Sequence, residues 1–381
     1  MVPTTKKTAP KVVIVCDWLT IMGGAELVTL ELQKLFSGSP IYTSVYDSNK
    51  LKQFAHLDVR TTKLQQTLPK FLRYKHQLWP TFRPGAFKKL DLSEFDIIIS
   101  ASSAEAKAVR KTRPGQVHIA YIHTPIRYYW SHYEEFKNEF NFGALTSFIR
   151  PFIPFFVTKM RKKDLDSIPG VDAFIANSTI TQKRIKKYYN RSSQVVYPPV
   201  NVNRWAPQPK TKRDGYILWG RHVPYKRFDL AIAAANKADF KLTIVGTGPD
   251  TERLKELAGP TVEFTGRISD EELVNRAHHA KAFLFPNEED FGIAAVEALA
   301  AGMPVIAYAK GGALDIVQDG ETGVLFYKQT VDDLINAIKK SEEMNFLPAT
   351  MHRKSKRFDE TLFDNKIRKI VADEYSKVTN N

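Results

Sequence analysis

Two glutamates eight residues apart, Glu289 and Glu297, stand in the stretch NEEDFGIAAVEALAAGMP, residues 287–304. The first belongs to a run of three acids and the second is a lone acid inside an alanine-rich segment. Read as one helix capped by Asp290 and closed by Gly302 and Pro304, the eight-residue offset rises ~12 Å and returns the second side chain to within ~80° of the first. Carboxylates so placed can accept hydroxyls at two points of one elongated ligand. Between them the N–H groups of Phe291, Gly292 and Ile293 suit a phosphate. Hydroxyls at one end, a diphosphate in the middle and a ribose at the other describe a nucleotide sugar. Glu288, Glu289 and Asp290 would repel that diphosphate without cations, and Arg221 and Lys226 in GRHVPYKR are placed to supply them. An acidic cluster that merely complements a helix dipole explains Glu288 to Asp290, but it leaves Glu297 without a reason.

These residues need a scaffold, and the hydrophobic pattern supplies one. Short β-branched runs alternate with helix-period segments: KVVIVCDW, FDIIISAS, VHIAYIH and VDAFIANS, then DGYILWG, FKLTIVGTG, AKAFLFPN and MPVIAYA. Such alternation predicts an α/β protein with two parallel sheets and crossover helices. Between the sets, VVYPPVNVNRWAPQPKTKRDG has prolines and no period, which marks a connector near residues 197–213. Ligands of open parallel sheets bind beyond the carboxyl ends of the strands, where several loops are glycine-rich. Gly23 and Gly24 open a helix after the first strand, and Gly246 and Gly248 follow FKLTIV. Neither loop has the GxGxxG spacing of a dinucleotide site, so a dehydrogenase loses its main support. A plain turn is the commoner reading of Gly-Gly alone.

At 381 residues the chain calls for two domains. Its single cysteine, Cys16, cannot form an intrachain disulfide, which favours a reducing compartment and a cytoplasmic location. The apolar run Val12 to Cys16 is far too short to span a bilayer, and FIRPFIPFFV, residues 148–157, is short and broken by two prolines. The net charge of +15 is unevenly spread: residues 1–200 hold 30 Lys and Arg against 15 Asp and Glu, whereas residues 201–381 hold 26 of each. A basic first half suits nucleic acid, an anionic membrane surface or an anionic substrate. Residues 70–89 and 142–163 interleave aromatic with basic side chains, as interfacial segments do. An ordinary amphipathic helix packed on its own domain explains each equally well. A nucleic-acid-binding protein would use the same stretches, but it gives Glu289 and Glu297 no task.

The segment EEDFGIAAVE resembles the Glu-x7-Glu motif of the retaining nucleotide-sugar glycosyltransferases of family 4, which have the GT-B fold. DWLTIMGGAE, PIYTSVYD, YIHTPIRYYW, YPPVNVNRW, VPYKRFDLAI, VGTGPD and GGALDIV extend the resemblance over nearly the whole chain, toward mannosyltransferases of lipid-linked O-antigen and exopolysaccharide assembly. The resemblance implies two Rossmann-like domains facing across a cleft. Residues 1–200 would form the acceptor and membrane-facing domain and residues 201–354 the donor domain. The C-terminal helix, about residues 355–381, would pack back on the first.

It also implies roles for individual residues. Glu289 would bind donor-sugar hydroxyls, Glu297 the ribose, and Phe291, Gly292 and Ile293 sugar and phosphate. Arg221 and Lys226 would neutralise the leaving diphosphate, Gly23 and Gly24 would approach it from the other domain, and His123 would touch the transferred sugar. Gly246, Gly248 and Arg267 are positional candidates for the base pocket. The expected donor is GDP-mannose, with a UDP-sugar or a nucleotide-sugar epimerase as alternatives. No metal or further cofactor is implied. The expected acceptor is a lipid-linked diphosphate glycan met at the inner face of the membrane, and no nucleic-acid partner is implied. Two positions depart from the family pattern: Arg227 stands where glycine is common and His222 where the residue is often apolar.

Overall fold

The computed structural model describes residues 9–69, 73, 82–134, 137, 150–208 and 212–379. The chain divides into two compact units, Met1–Val196 with Asp364–Asn381, and Tyr197–Phe363.

The first unit is built on a seven-stranded sheet in the order β3-β2-β1-β4-β5-β6-β7, with every pairing parallel. Its strands are β1 (Val12–Cys16), β2 (Ile41–Thr43), β3 (Val59–Thr61), β4 (Ile97–Ser102), β5 (Val117–Ile122), β6 (Ala173–Ala176) and β7 (Gln194–Val195). Strands β4 and β5 are buried along their whole length, which is why they read as continuous apolar runs rather than alternating ones. Strand order reverses between β1 and β4. The helix Gly24–Leu35 follows β1, and its buried Val28 and Leu32 cover the sheet.

The second unit has six parallel strands in the order β10-β9-β8-β11-β12-β13: β8 (Tyr216–Trp219), β9 (Leu242–Val245), β10 (Val262–Gly266), β11 (Ala282–Phe285), β12 (Val305–Tyr308) and β13 (Gly323–Phe326). This 3-2-1-4-5-6 pattern is the Rossmann order, with its switch point between β8 and β11. The helix Ile293–Ala300 buries Ala295, Val296, Ala298, Leu299 and Ala300, and its small side chains let the backbone approach the sheet closely. The segment read from sequence as a connector is packed rather than loose: Val200 N–H donates to the Phe358 carbonyl at 3.1 Å, and the Trp205 indole stacks on Trp219 with ring centroids 5.7 Å apart.

The C-terminal region is one step more divided than a single helix from 355. The helix Pro348–Ser355 is followed by a 3-10 turn, Lys356–Phe358, and then by the helix Glu360–Thr379. Within the first unit, Arg368 on that last helix donates to the Leu35 carbonyl at 3.1 Å, capping the end of Gly24–Leu35. Among the described residues no helix is long and apolar enough to cross a membrane.

Candidate functional site

The sequence-derived candidates of the second unit lie in the segments that follow the carboxyl ends of β8, β9, β10 and β11, with Ile293 and Glu297 on the helix Ile293–Ala300 that follows the loop after β11. Lys226, in the loop after β8, places Nζ 2.7 Å from Glu289 Oε1, in the loop after β11. The two side chains are 19% and 17% exposed, so the pair is reachable but shielded, and it holds the two loops together. Asn287 Nδ2 also donates to Glu289 Oε1, at 3.0 Å. The Lys226 ammonium lies over Gly220, where an added Cβ would come within 3.2 Å of it. Arg221 is exposed and makes no ion pair among the described residues. One cation is thus held in place by a carboxylate while its neighbour remains available to an anion.

The helix bearing Glu297 begins later than the sequence suggests. Its N-cap is Gly292, with φ +109°, and not Asp290. The chain reverses there in a conformation that L side chains resist, and a Cβ would lie 2.6 Å from the Phe285 ring. Glu289 is therefore outside the helix, and its relation to Glu297 is set by the turn at 290–292 rather than by helix pitch; the ~12 Å and ~80° expected from pitch do not apply. The helix opens at Ile293 with no side-chain cap, so the N–H groups of Ile293 and Ala294 have no intrahelical acceptor. Phe291 contributes to packing: its ring stacks on Tyr197 with centroids 5.6 Å apart. The loop after β12 closes on this turn, with Gly312 N–H donating to the Glu289 carbonyl at 2.8 Å. At Gly312 a Cβ would meet the Phe291 carbonyl oxygen at 2.1 Å, so only glycine fits.

Glu297 is half-buried, and Oε2 accepts from the Trp219 indole N–H at 3.0 Å. Burial pushes its pKa above the ordinary carboxylate value, and the Trp219 bond and the Arg204 charge pull it back. Oε1 makes no hydrogen bond among the described residues, which leaves one carboxylate oxygen for a ligand hydroxyl. Trp219 was not among the sequence candidates. A Trp ending an apolar strand just before GRH was the available signal.

The loops after β8, β9 and β10 form a second cluster. A Cβ at Gly246, which has φ +117°, would lie 2.1 Å from the Gly220 carbonyl oxygen, and one at Gly248 would lie 2.1 Å from that of His222. Both glycines permit two loops to pack backbone against backbone. Arg267, exposed after β10, donates from Nε to Thr247 Oγ1 at 3.2 Å. Arg227 has φ +53°, which explains why glycine is natural there; the left-handed backbone costs ~1–2 kcal/mol for an L residue. Its side chain turns to Asp229 at 3.2 Å rather than toward the Lys226–Glu289 pair.

In the first unit, Gly23 is the N-cap of Gly24–Leu35. The carboxyl group at that helix end is this chain's own Glu26, which is buried, with Oε2 3.2 Å from where a Cβ on Gly23 would lie. Burial, with Asp17 adding to it, raises Glu26 to about 7. Asp17, at the end of β1, ties down the loop after β4 by accepting from the backbone N–H groups of Ser103 at 2.6 Å, Ala104 at 2.9 Å and Ala106 at 2.7 Å. Neither acid was a sequence candidate. His123 follows β5 and is buried; its ring meets Tyr121 edge-on at 5.3 Å, and its carbonyl accepts from Thr181 Oγ1 at 3.1 Å. The stretch 70–89 lies largely outside the described residues, as do residues 142–149. From 150 onward the helix Ile153–Leu165 buries Ile153, Val157 and Met160 and turns Phe155 and Phe156 outward, Phe155 being 76% exposed.

Two parallel sheets, each with a strand-order reversal, and an anion-suited loop cluster at the second reversal define the class. Residues 22–204 match the profile of Glycosyltransferase Family 4 and residues 200–358 that of Glycosyl transferases group 1. The chain belongs to this glycosyltransferase family, built from those two domains. It is 31% identical over 202 residues to the GDP-mannose-dependent alpha-(1-6)-phosphatidylinositol monomannoside mannosyltransferase of Mycobacterium tuberculosis, covering 44% of this chain and 52% of that protein. It is 33% identical over 132 residues to a GDP-mannose-dependent alpha-mannosyltransferase of Corynebacterium glutamicum, covering 33% of this chain and 31% of that protein. The chain thus spans about half, or less, of the curated relatives it matches. Among solved structures, Anabaena Alr3699/HepE in complex with UDP superposes with a TM-score of 0.69 at 17% identity, covering 95% of this chain and all of that one. That likeness identifies the fold as GT-B.

Proposed function

We propose that this protein is a retaining glycosyltransferase that moves mannose from GDP-mannose to a lipid-linked diphosphate glycan at the cytoplasmic face of a membrane. The observation that carries the reading is the Lys226–Glu289 pair at 2.7 Å beside the uncapped helix Ile293–Ala300. Lys226, Arg221 and the N–H groups of Ile293 and Ala294 offer positive charge to a leaving diphosphate. Glu289, held by Lys226 and Asn287, is aimed at sugar hydroxyls, and the open oxygen of Glu297 at the ribose. Because Glu289 already has this task, the acceptor hydroxyl attacks on the face from which the diphosphate departs, with no enzyme nucleophile. GDP-mannose is chosen over UDP-sugars because the relatives at 31% and 33% identity are GDP-mannose-dependent.

For the acceptor side, the excess of basic residues in 1–200 and the outward Phe155 and Phe156, followed by exposed Lys159 and Lys162, suit an anionic bilayer surface. The test is transfer of labelled mannose from GDP-mannose into a lipid fraction, with NMR of the new linkage. An α-linked product from the α-configured donor supports the proposal; transfer from UDP-glucose alone overturns the donor, and a β-linked product overturns retention. Equal co-sedimentation with anionic and neutral liposomes overturns the membrane surface.

A further inference from the structure

His222 is wholly buried at the carboxyl end of β8, one residue after the exposed Arg221 and four before Lys226. Its ring lies between Phe228, with centroids 4.8 Å apart, and Phe264, at 6.0 Å. Within this apolar sleeve Nδ1 is 3.0 Å from Thr251 Oγ1. That hydroxyl in turn accepts from Gly248 N–H and donates to the Gly248 carbonyl, both at 2.8 Å. His222 Nδ1 and Thr251 Oγ1 thus share one hydrogen bond, whichever of the two carries the proton. The backbone repeats the connection: His222 N–H donates to the Thr247 carbonyl and Asp250 N–H to the His222 carbonyl, each at 3.2 Å.

The second ring nitrogen, Nε2, is buried and has no hydrogen-bond partner. An aliphatic side chain would fill the same sleeve without leaving a polar atom unsatisfied, so the imidazole costs stability where it sits. What it supplies is the link through Thr251. Resting on the donor-site reading above, we propose that His222 is a positioning residue that locks the loop after β9, residues 246–251, to the loop carrying Arg221 and Lys226, so that the nucleoside and diphosphate ends of the donor are held in one register. His222 touches no ligand in this account; it acts through Thr251 and Gly248.

Three variants separate this role from plain packing. His222→Leu keeps the volume and removes the link, His222→Asn keeps a hydrogen-bonding group near the Nδ1 position, and Thr251→Val removes the link from the other side. Hydrogen exchange of the free protein reads the coupling without any ligand. His222→Leu and Thr251→Val are expected to speed exchange about tenfold at 246–251, and His222→Asn to restore most of the protection. Titration with GDP and GDP-mannose should show about tenfold weaker binding for His222→Leu, with KM raised, kcat within twofold, and a melting temperature equal to or above that of the parent. Unchanged exchange in His222→Leu overturns the lock, as does a loss confined to kcat. Faster exchange in His222→Leu and Thr251→Val, with a parent protein that binds no nucleotide, would keep the lock and overturn the donor reading instead.

Discussion

Replacing Glu297 by Gln removes a charge and almost no volume, and the structure gives its effects on stability and on binding opposite signs. Gln keeps an oxygen for the Trp219 indole N–H, which now reaches Oε2 at 3.0 Å. The wild-type carboxylate has a folded pKa raised above its unfolded value, chiefly by burial. Such a group contributes its stability fully below the unfolded pKa and loses it as pH rises through the folded pKa. Glu297→Gln carries no such dependence, so its melting temperature should gain on the wild type between pH 5 and pH 8. Donor binding should move the other way. A hydrogen bond to a charged partner is worth ~1.5–3 kcal/mol and one to the neutral amide ~0.5–1.5 kcal/mol, so at ~1.4 kcal/mol per tenfold the substitution should weaken GDP-mannose binding roughly 5- to 12-fold. Calorimetric titration and thermal unfolding, run in parallel at both pH values, measure both effects. Wild-type affinity in Glu297→Gln would refute the assignment of the open oxygen, and a lower melting temperature at pH 8 would refute the reasoning about burial.

Glu26 has the same sign of linkage with a stated range: raised from 4.5 to about 7 by burial, it contributes stability below pH 4.5 that fades up to pH 7. At 1.36 kcal/mol per pH unit, Glu26→Gln should be up to ~3 kcal/mol more stable than wild type at pH 8 and show no such gain at pH 4.5, as read by urea unfolding. Gly312→Ala should destabilise the second unit by ~1–3 kcal/mol or more, because its Cβ would meet the Phe291 carbonyl oxygen at 2.1 Å; a wild-type unfolding midpoint would contradict the close approach. Lys226→Met leaves Glu289 without its ion-pair partner and should reduce kcat by at least tenfold, with Lys226→Arg intermediate; full activity in Lys226→Met would remove the pair from the donor site.

The sheets were legible in the sequence because their central strands are buried on both faces. All eight runs read as strands are strands: β1, β4, β5, β6, β8, β9, β11 and β12. Of the five that went unread, Ile41–Thr43, Val59–Thr61 and Gln194–Val195 are two or three residues long and Val262–Gly266 is partly exposed, too little to leave a pattern, whereas Gly323–Phe326, buried at three of four positions, has no such explanation. The sequence offered Lys226 as a counterweight to Glu288, Glu289 and Asp290 at a diphosphate, but its ion pair with Glu289 was not legible there. The helix start was not legible either, because the positive φ of Gly292 depends on the Phe285 ring, which is nearby only in the fold. Trp219, Thr251 and Glu26 escaped for a related reason. Trp219 acts on Glu297, 78 positions away, Thr251 on His222, 29 away, and Glu26 faces Asp17 at the end of the preceding strand, and no helix or strand period records such contacts. Arg227 looked like a substitution at a glycine position, and its φ of +53° shows what the glycine would be for.

A nucleotide sugar held by the loops at the β8/β11 switch point should stabilise the folded chain. The most direct measurement is thermal stabilisation by GDP, UDP, ADP and their common sugar conjugates, in wild type and Glu297→Ala. A ligand at ~100 times its dissociation constant stabilises the folded state by ~2.7 kcal/mol. GDP and GDP-mannose should give a clear shift that is lost in Glu297→Ala; no shift with any nucleotide, or a shift untouched by that substitution, would refute a nucleotide-sugar site there.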